Sequence, residues 1–293
     1  MGISRYPTAV TLPPAREPFP SMLQFLSQRF PGIDRDRWQE RLRAGKVLDE
    51  AGNPITEQTP YVPNRKIFYF REVAGEQTIP FAEKILFQSD TLLVACKPHF
   101  LPVIPGGRYV DECLLHRLRE STGIADLSPI HRIDRETAGL VLFSTNKETR
   151  GLYQRLFADG KIEKTYHAIA EYTQPAMTTE WLVETRIVRG EPWVRRKTVP
   201  GEVNARSHIH LVEVQGQRAR FKLHPLTGKT HQLRIHMSEL GFQIANDRYY
   251  PVMWPEGEDY FDQPLQLLAK SVKFTDPISG QPVEFVSERE LLL

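Results

Sequence analysis

The hydrophobic pattern of this chain begins late. Residues 1–20 carry Pro7, Pro13, Pro14, Pro18 and Pro20 with no apolar period, which predicts an extended or disordered arm outside the core. Helical spacing starts at Ser21, a good N-cap: Leu23, Leu26 and Phe30 share one stripe, Met22 and Phe25 flank it, and Pro31-Gly32 closes the element. A second helix starts near Asp34 or Asp36 and presents Trp38 and Leu42 among Arg37, Arg41 and Arg43. Gly45-Lys46-Val47-Leu48 follows, and Lys66-Ile67-Phe68-Tyr69-Phe70 has strand character. Residues 74–82 read as a connector.

From residue 83 onward, short apolar runs replace helical stripes. Ile85-Leu86-Phe87 and Leu92-Leu93-Val94-Ala95 predict two strands split by the turn Gln88-Ser89-Asp90; Lys97-Pro98 ends the second, and 101–107 is a Pro/Gly-rich loop. Leu140-Val141-Leu142-Phe143 is an apolar strand entered from a charged loop. Asn146 can cap a helix carrying Leu152, Leu156 and Phe157, with Gly160 as its stop. Residues 164–170 alternate as a strand, and strands around 208–214 and 219–223 flank Gln215-Gly216-Gln217 as a hairpin. Thr230 can cap a helix with Leu233, Met237 and Leu240 on its buried stripe and Gly241 past its end. No fixed-period repeat is present. The expected organisation is an arm (1–20), a small helix–helix–strand module (21–73), a linker (74–82) and one mixed α/β domain (83–293).

Composition narrows the class. With 293 residues, of which 40% are hydrophobic, the chain can bury a core, and no run approaches the roughly 18 apolar residues of a membrane helix. Met1–Pro7 lacks a secretion-type apolar run, so a soluble protein of the cytoplasm is expected, with no membrane partner. Cys96 and Cys113 are too few for a disulfide framework or a four-ligand zinc site. The net charge of +2 does not by itself announce a nucleic-acid binder. One stretch is locally basic: Arg186, Arg189, Arg195, Arg196, Lys197 and Arg206, with Trp181 and Trp193 interleaved among Glu184, Glu191 and Glu202. It can be a phosphate-tracking surface or simply a solvated charged face.

The chemistry concentrates in His131-Arg132-Ile133-Asp134-Arg135-Glu136-Thr137-Ala138-Gly139-Leu140, where an aspartate stands between two arginines at the mouth of a strand. This run resembles the H-R-L-D-x-x-T-S-G signature of the RluA-type pseudouridine synthases. Two further segments resemble the same family in the same order. Lys164-Thr165-Tyr166-His167-Ala168 is similar to its K-x-Y-x-A strand, and Leu226–His236 is similar to its T-G-R-T-H-Q-I-R-V-H segment. The likeness spans roughly residues 83–286. The segment 21–73 resembles the S4-type RNA-binding domain found ahead of many such synthases, although Asp49-Glu50-Ala51-Gly52-Asn53 replaces a short Asn-Gly turn.

That resemblance implies an α+β protein: a mixed, mainly antiparallel sheet core with a small N-terminal α/β S4-like module. It implies an isomerase that needs no cofactor and no metal, acts as a monomer and takes ribosomal or transfer RNA as its partner. Asp134 falls on the catalytic aspartate, Tyr166 on the tyrosine that stacks on the target base, and Arg234 on the arginine that pairs with the aspartate. Arg132 falls on a residue that holds the rearranged RNA, Ile235 on an apolar wall of the pocket, and His131, Arg135 and Lys164 lie beside them as substrate-binding candidates. By the S4 resemblance, Arg37, Arg41, Arg43 and Lys46 face RNA. Two departures stand out: Ala138 replaces the usual serine, and Gly241–Asp247 replaces G-H-P-I-x-G-D.

The reaction breaks the N1–C1′ bond, turns the uracil and joins C5 to C1′. It therefore needs a carboxylate beside the sugar and a pocket that retains the detached base. Attack at C1′, attack at C6 and removal of the C2′ proton all use the same carboxylate. Other sites fail on spacing. Thr227-Gly228-Lys229-Thr230 imitates the end of a P-loop, but Leu223 stands where its first glycine is required. His231 and His236 are not at helical two-histidine metal spacing, and a glycosidase pair of Asp134 and Glu136 leaves Arg132, Tyr166 and Arg234 without joint purpose. The alternative from another class is a non-catalytic RNA-binding or RNA-chaperone protein on the same scaffold.

Overall fold

The computed structural model describes residues 2–4, 6–14, 19–73, 75–173, 176–255, 257 and 260–293. The chain divides into two compact units, residues 1–77 with 105–111, and residues 78–104 with 112–293. The first unit therefore also takes in 105–111, a stretch the sequence reading assigned to the second. Arg71 Nη2 donates to the Gly107 carbonyl at 2.9 Å, and the Glu76 carboxylate accepts the Val110 N–H at 2.7 Å.

The first unit comprises β1 (Gly2–Ile3), β2 (Thr8–Thr11), α1 (Met22–Arg29), α2 (Arg35–Arg43), β3 (Val47–Leu48), β4 (Lys66–Tyr69) and β5 (Glu72–Val73). The Ser21 hydroxyl caps α1 by accepting the Gln24 N–H at 3.2 Å. Residues 8–12 do not stand off as an arm. β2 pairs antiparallel with β4 in a three-stranded sheet, order β2-β4-β3, and Leu12 is buried with Leu23, Leu26, Trp38 and Ile67. Pro7, Pro13 and Pro14 on either side hid this strand, which forms because Thr8–Thr11 holds no proline itself. The expectation for Ala15–Pro18 lies outside the described residues.

In the second unit the elements are β6 (Lys84–Gln88), β7 (Leu92–Lys97), α3 (Leu114–Thr122), β8 (Ser128–Pro129), β9 (Ala138–Ser144), α4 (Arg150–Ala158), β10 (Glu163–Glu171), β11 (Glu180–Arg189), β12 (Arg196–Val199), β13 (Ala205–Gln215), β14 (Arg218–Pro225), α5 (Gln232–Glu239), β15 (Leu267–Thr275) and β16 (Pro282–Val286). They form one eleven-stranded sheet with a main path β12-β11-β13-β14-β10-β15-β9-β7-β6. All its pairs are antiparallel except β9 with β15. The α+β class with a mixed, mainly antiparallel sheet agrees with expectation.

Two caps differ from the sequence reading. Asn146 accepts the Glu148 N–H with its side chain, and α4 begins only at Arg150, after Thr149. At α5 the N-cap position is His231 in the left-handed region, φ 58°, and the Gln232 side chain accepts the Lys229 N–H at 3.0 Å. The parallel pairing requires a glycine: Gly139 has φ +111°, and a Cβ there would strike the Ala269 carbonyl oxygen and stand 2.7 Å from its nitrogen. Ala269 pairs with Gly139 on one side and with Tyr166 on the other. The aspartate loop is thereby delivered beside Tyr166. Among the described residues, no helix is long and apolar enough to cross a membrane.

Candidate active site

The loop before β9 is held from beneath. Lys97, fully buried, donates from Nζ to the carbonyls of Pro98 at 2.9 Å, Leu101 at 2.7 Å and Arg135 at 2.9 Å. Burial lowers its pKa to about 7, against the opposing pull of Glu136. His99 Nδ1 is 2.7 Å from the Glu136 carbonyl, and the Thr137 N–H closes a turn on the Asp134 carbonyl at 3.2 Å. These contacts fix the backbone on both sides of Asp134, whose side chain stays 22% exposed.

Arg234 comes from α5 and is 1% exposed. Its Nε and Nη2 donate to the buried Asp247 carboxylate at 2.8 and 2.6 Å, a two-pronged pair. Its Nη1 points to the loop, 3.5 Å from Asp134 Oδ2 and 3.7 Å from Glu136 Oε2, and makes no hydrogen bond among the described residues. Burial alone would weaken the charge on Arg234, but Asp247, then Asp134 and Glu136, raise its pKa above the ordinary value. Burial likewise pushes Glu136 up, yet Arg135 and Arg234 outweigh it and bring the carboxyl to about 2. The site is thus a fixed guanidinium with one uncommitted prong, facing a carboxylate that reaches solvent.

Tyr166 is half-buried at a β-bulge in β10, and burial, reinforced by the Asp134 charge, raises its phenol well above the ordinary value, so it is neutral. His231 Nε2 is 4.0 Å from Asp134 Oδ2, while its Nδ1 is 3.0 Å from the Tyr250 hydroxyl. Burial lowers the His231 pKa, Asp134 opposing. Arg132 is exposed beside the loop. Arg135 donates to Glu136 at 2.8 Å, and Lys164 Nζ reaches the Thr227 carbonyl at 3.3 Å.

Three expected site residues are placed otherwise. His131 accepts the Leu142 N–H at 3.1 Å and stacks on Phe157 at 4.4 Å, and burial drives its pKa to about 3; its ring is engaged in holding the turn. Ile235 packs with Ile187, Ala205 and Tyr250, supporting α5 from beneath where a pocket wall was expected. Arg41, in the first unit, is 5% exposed, sits over the Trp38 ring at 4.9 Å and pairs with Glu72 at 3.3 Å; an amphipathic reading cannot tell such an arginine from its exposed neighbours. Lys46 shares Glu72 at 2.7 Å, Arg43 bonds Glu57 at 3.2 Å while remaining open, and Arg37 is exposed. Sequence reasoning missed Asp247 and Lys97 as parts of the site. Lys-Pro after a strand was visible, but its three carbonyl acceptors exist only in the fold.

The RNA pseudouridylate synthase family profile matches residues 91–239, which include Asp134, Tyr166 and Arg234. The dual-specificity RNA pseudouridine synthase RluA of Haemophilus influenzae is 30% identical over 217 residues, covering 69% of this chain and 90% of that one. The mitochondrial tRNA pseudouridine(32) synthase of Saccharomyces cerevisiae is 32% identical over 173 residues, 57% of this chain and 37% of the yeast protein. Among solved structures, human RNA pseudouridylate synthase domain containing 4 superposes with a TM-score of 0.55 at 23% identity, covering 71% of this chain and 88% of the human one, a likeness of fold. The chain belongs to the RNA pseudouridylate synthase family, of RluA type. It is an RNA pseudouridine synthase, an isomerase acting on RNA.

Proposed function

We propose that this enzyme converts specific uridines of ribosomal or transfer RNA to pseudouridine, with Asp134 as the catalytic carboxylate. The observation that carries the reading is the pairing of a solvent-reaching Asp134 with the uncommitted Nη1 of buried Arg234, 3.5 Å away. A fixed guanidinium beside the carboxylate holds it aimed at the cleft, which both a nucleophile and a base require. The reaction is balanced within the nucleotide. The N1–C1′ bond breaks, the uracil turns, C5 bonds C1′, and the C5 proton is lost as N1 gains one.

A stacked uridine is out of reach of this carboxylate, so the nucleotide must be extruded, at a cost of a few kcal/mol. Arg132, exposed at the mouth of the loop, is suited to holding the displaced strand, and neutral Tyr166 to stacking on the base. Both kinds of RNA remain as substrates: the yeast relative's name specifies tRNA, and the H. influenzae relative's name dual specificity. The N-terminal unit, read as S4-like, favours a structured ribosomal target, with Arg37, Arg43 and Lys46 on phosphates. Two buried cysteines, neither in a disulfide, suit the reducing cytoplasm, where the enzyme acts as a monomer. Mapping pseudouridines in cells with and without the gene tests this reading. Sites in rRNA or tRNA that vanish with the gene are expected, and identical maps would overturn it.

A further inference from the structure

Three large rings of the second unit stand in solvent. Trp193 is 66% exposed, Tyr260 57% and Trp254 37%. An arginine lies against each: Arg189 is 5.7 Å from the Trp193 ring, and Arg248 is 5.8 Å from Trp254 and 4.9 Å from Tyr260. The other tryptophan of this unit is a contrast. Trp181 packs into the core against Phe242 at 5.2 Å.

The Trp193 turn, which joins β11 to β12, is bound to the segment after α5. Arg195 Nη2 donates to the Pro251 carbonyl at 2.8 Å and its guanidinium lies 5.0 Å from the Tyr250 ring, while the Arg196 N–H donates to the Tyr250 hydroxyl at 2.7 Å. That hydroxyl is 3.0 Å from His231 Nδ1, and His231 Nε2 is 4.0 Å from Asp134 Oδ2. The turn that carries Trp193 is therefore anchored a few contacts from the carboxylate proposed to act on the nucleotide, and Trp254 follows three residues after the Pro251 to which that turn is bound.

We propose that this ridge is a stacking platform for single-stranded nucleotides flanking the target uridine, with Trp193 and Trp254 taking bases and the β11–β12 hairpin tracking phosphates. The proposal rests on the reading of this site as one that acts on uridine in RNA. Base–aromatic stacking backed by arginine is the usual means of holding unpaired RNA, because every base offers a π-face. Charge favours an anionic partner over a neutral or basic one, since residues 186–197 hold Arg186, Arg189, Arg195, Arg196 and Lys197 against Glu191 alone, and the exposed rings favour RNA among anionic partners because its bases can stack on them. Glu256, Glu258 and Asp259 follow Trp254 in sequence, so the phosphate path is assigned to the hairpin side. The ridge also suits the chemistry, since extruding one nucleotide leaves its neighbours unstacked and in need of a surface.

The test uses tryptophan emission, which a stacked base quenches. Full-length protein is titrated with a short oligouridylate and with an RNA duplex of equal length, and the titrations are repeated with Trp193→Ala and Trp254→Ala. We expect the single strand to quench and the duplex to quench little. Each variant should lose part of the quench and bind the oligomer roughly 5- to 100-fold more weakly. Equal affinity of both variants and wild type, equal quenching by duplex, or a self-association that Trp193→Ala abolishes would each overturn the platform. Quenching needs no turnover, so absence of pseudouridine from every RNA tested would sink the catalytic reading while leaving this result to stand or fall alone.

Discussion

Replacing Asp247 by asparagine isolates what the buried acid does for Arg234. Asp247 Oδ2 accepts Arg234 Nε at 2.8 Å; Oδ1 accepts Nη2 at 2.6 Å and the N–H groups of Tyr249 at 2.8 Å and Tyr250 at 3.2 Å. Asparagine must set its NH2 group at one of these positions. Placed at Oδ1 it loses three acceptor contacts; placed at Oδ2 it loses one and opposes the Arg234 Nε donor. The second placement wins. One charge-assisted hydrogen bond is then lost, about 1.5–3 kcal/mol. The full cost of breaking a buried pair, about 3–5 kcal/mol, is an upper limit, because Asp134 and Glu136 remain as counter-charges. A destabilisation of about 2–4 kcal/mol should lower Tm by roughly 5–12 °C. The freed guanidinium should also shift from Asp134, and a displacement of up to an ångström costs about 10- to 100-fold in single-turnover rate. Thermal melting and single-turnover pseudouridine formation check both effects. A variant with unchanged Tm and unchanged rate would refute the view that Asp247 positions Arg234.

Gly139→Ala should cost about 3–5 kcal/mol, from positive-φ strain together with the clash on Ala269, and urea unfolding of soluble variant protein would measure it. In the N-terminal unit, Arg37→Gln with Arg43→Gln should weaken binding to structured RNA and flatten its salt dependence with little change in Tm, because the Arg43–Glu57 pair is exposed, whereas Arg41→Ala should lower Tm, since it strips a buried partner from Glu72. Acid should destabilise the fold early. Burial holds His131 at about 3 and His99 and His236 at about 4, below the ordinary 6.5, so the unfolded chain binds more protons as pH falls. Their contribution is complete above pH 6.5 and is lost below it, by up to about 1.4 kcal/mol per pH unit for each histidine. Urea midpoints that stay level between pH 7.5 and 5 would contradict this.

Much of the element pattern in both units was legible because its signals are local. Ser21, Gly160 and the Gln215-Gly216-Gln217 turn mark ends of elements by side-chain and backbone preference alone. The arms of the hairpin that carries Trp193 were missed: β11 alternates, with Trp181, Val183 and Ile187 on one side, but its charge density read as a solvated run. Helix α3 was passed over although Leu114, Leu115 and Leu118 share its buried face and Gly123, φ 71°, ends it. The site divides the same way. Asp134, Tyr166 and Arg234 were readable from motif resemblance. Asp247 and Lys97 act through partners distant in the chain, and the burial that distinguishes Arg41 from Arg43 is a tertiary fact.

The central claim is that the Asp134 carboxylate does the chemistry, and Asp134→Asn removes its charge with almost no change of shape. Its melting curve and RNA affinity should match wild type. Pseudouridine formed under single-turnover conditions on a natural rRNA or tRNA substrate, located in cells by loss of the gene, should fall below detection. Retention of more than a tenth of the wild-type rate, a loss of barrier stabilisation under about 1.4 kcal/mol, would contradict the account.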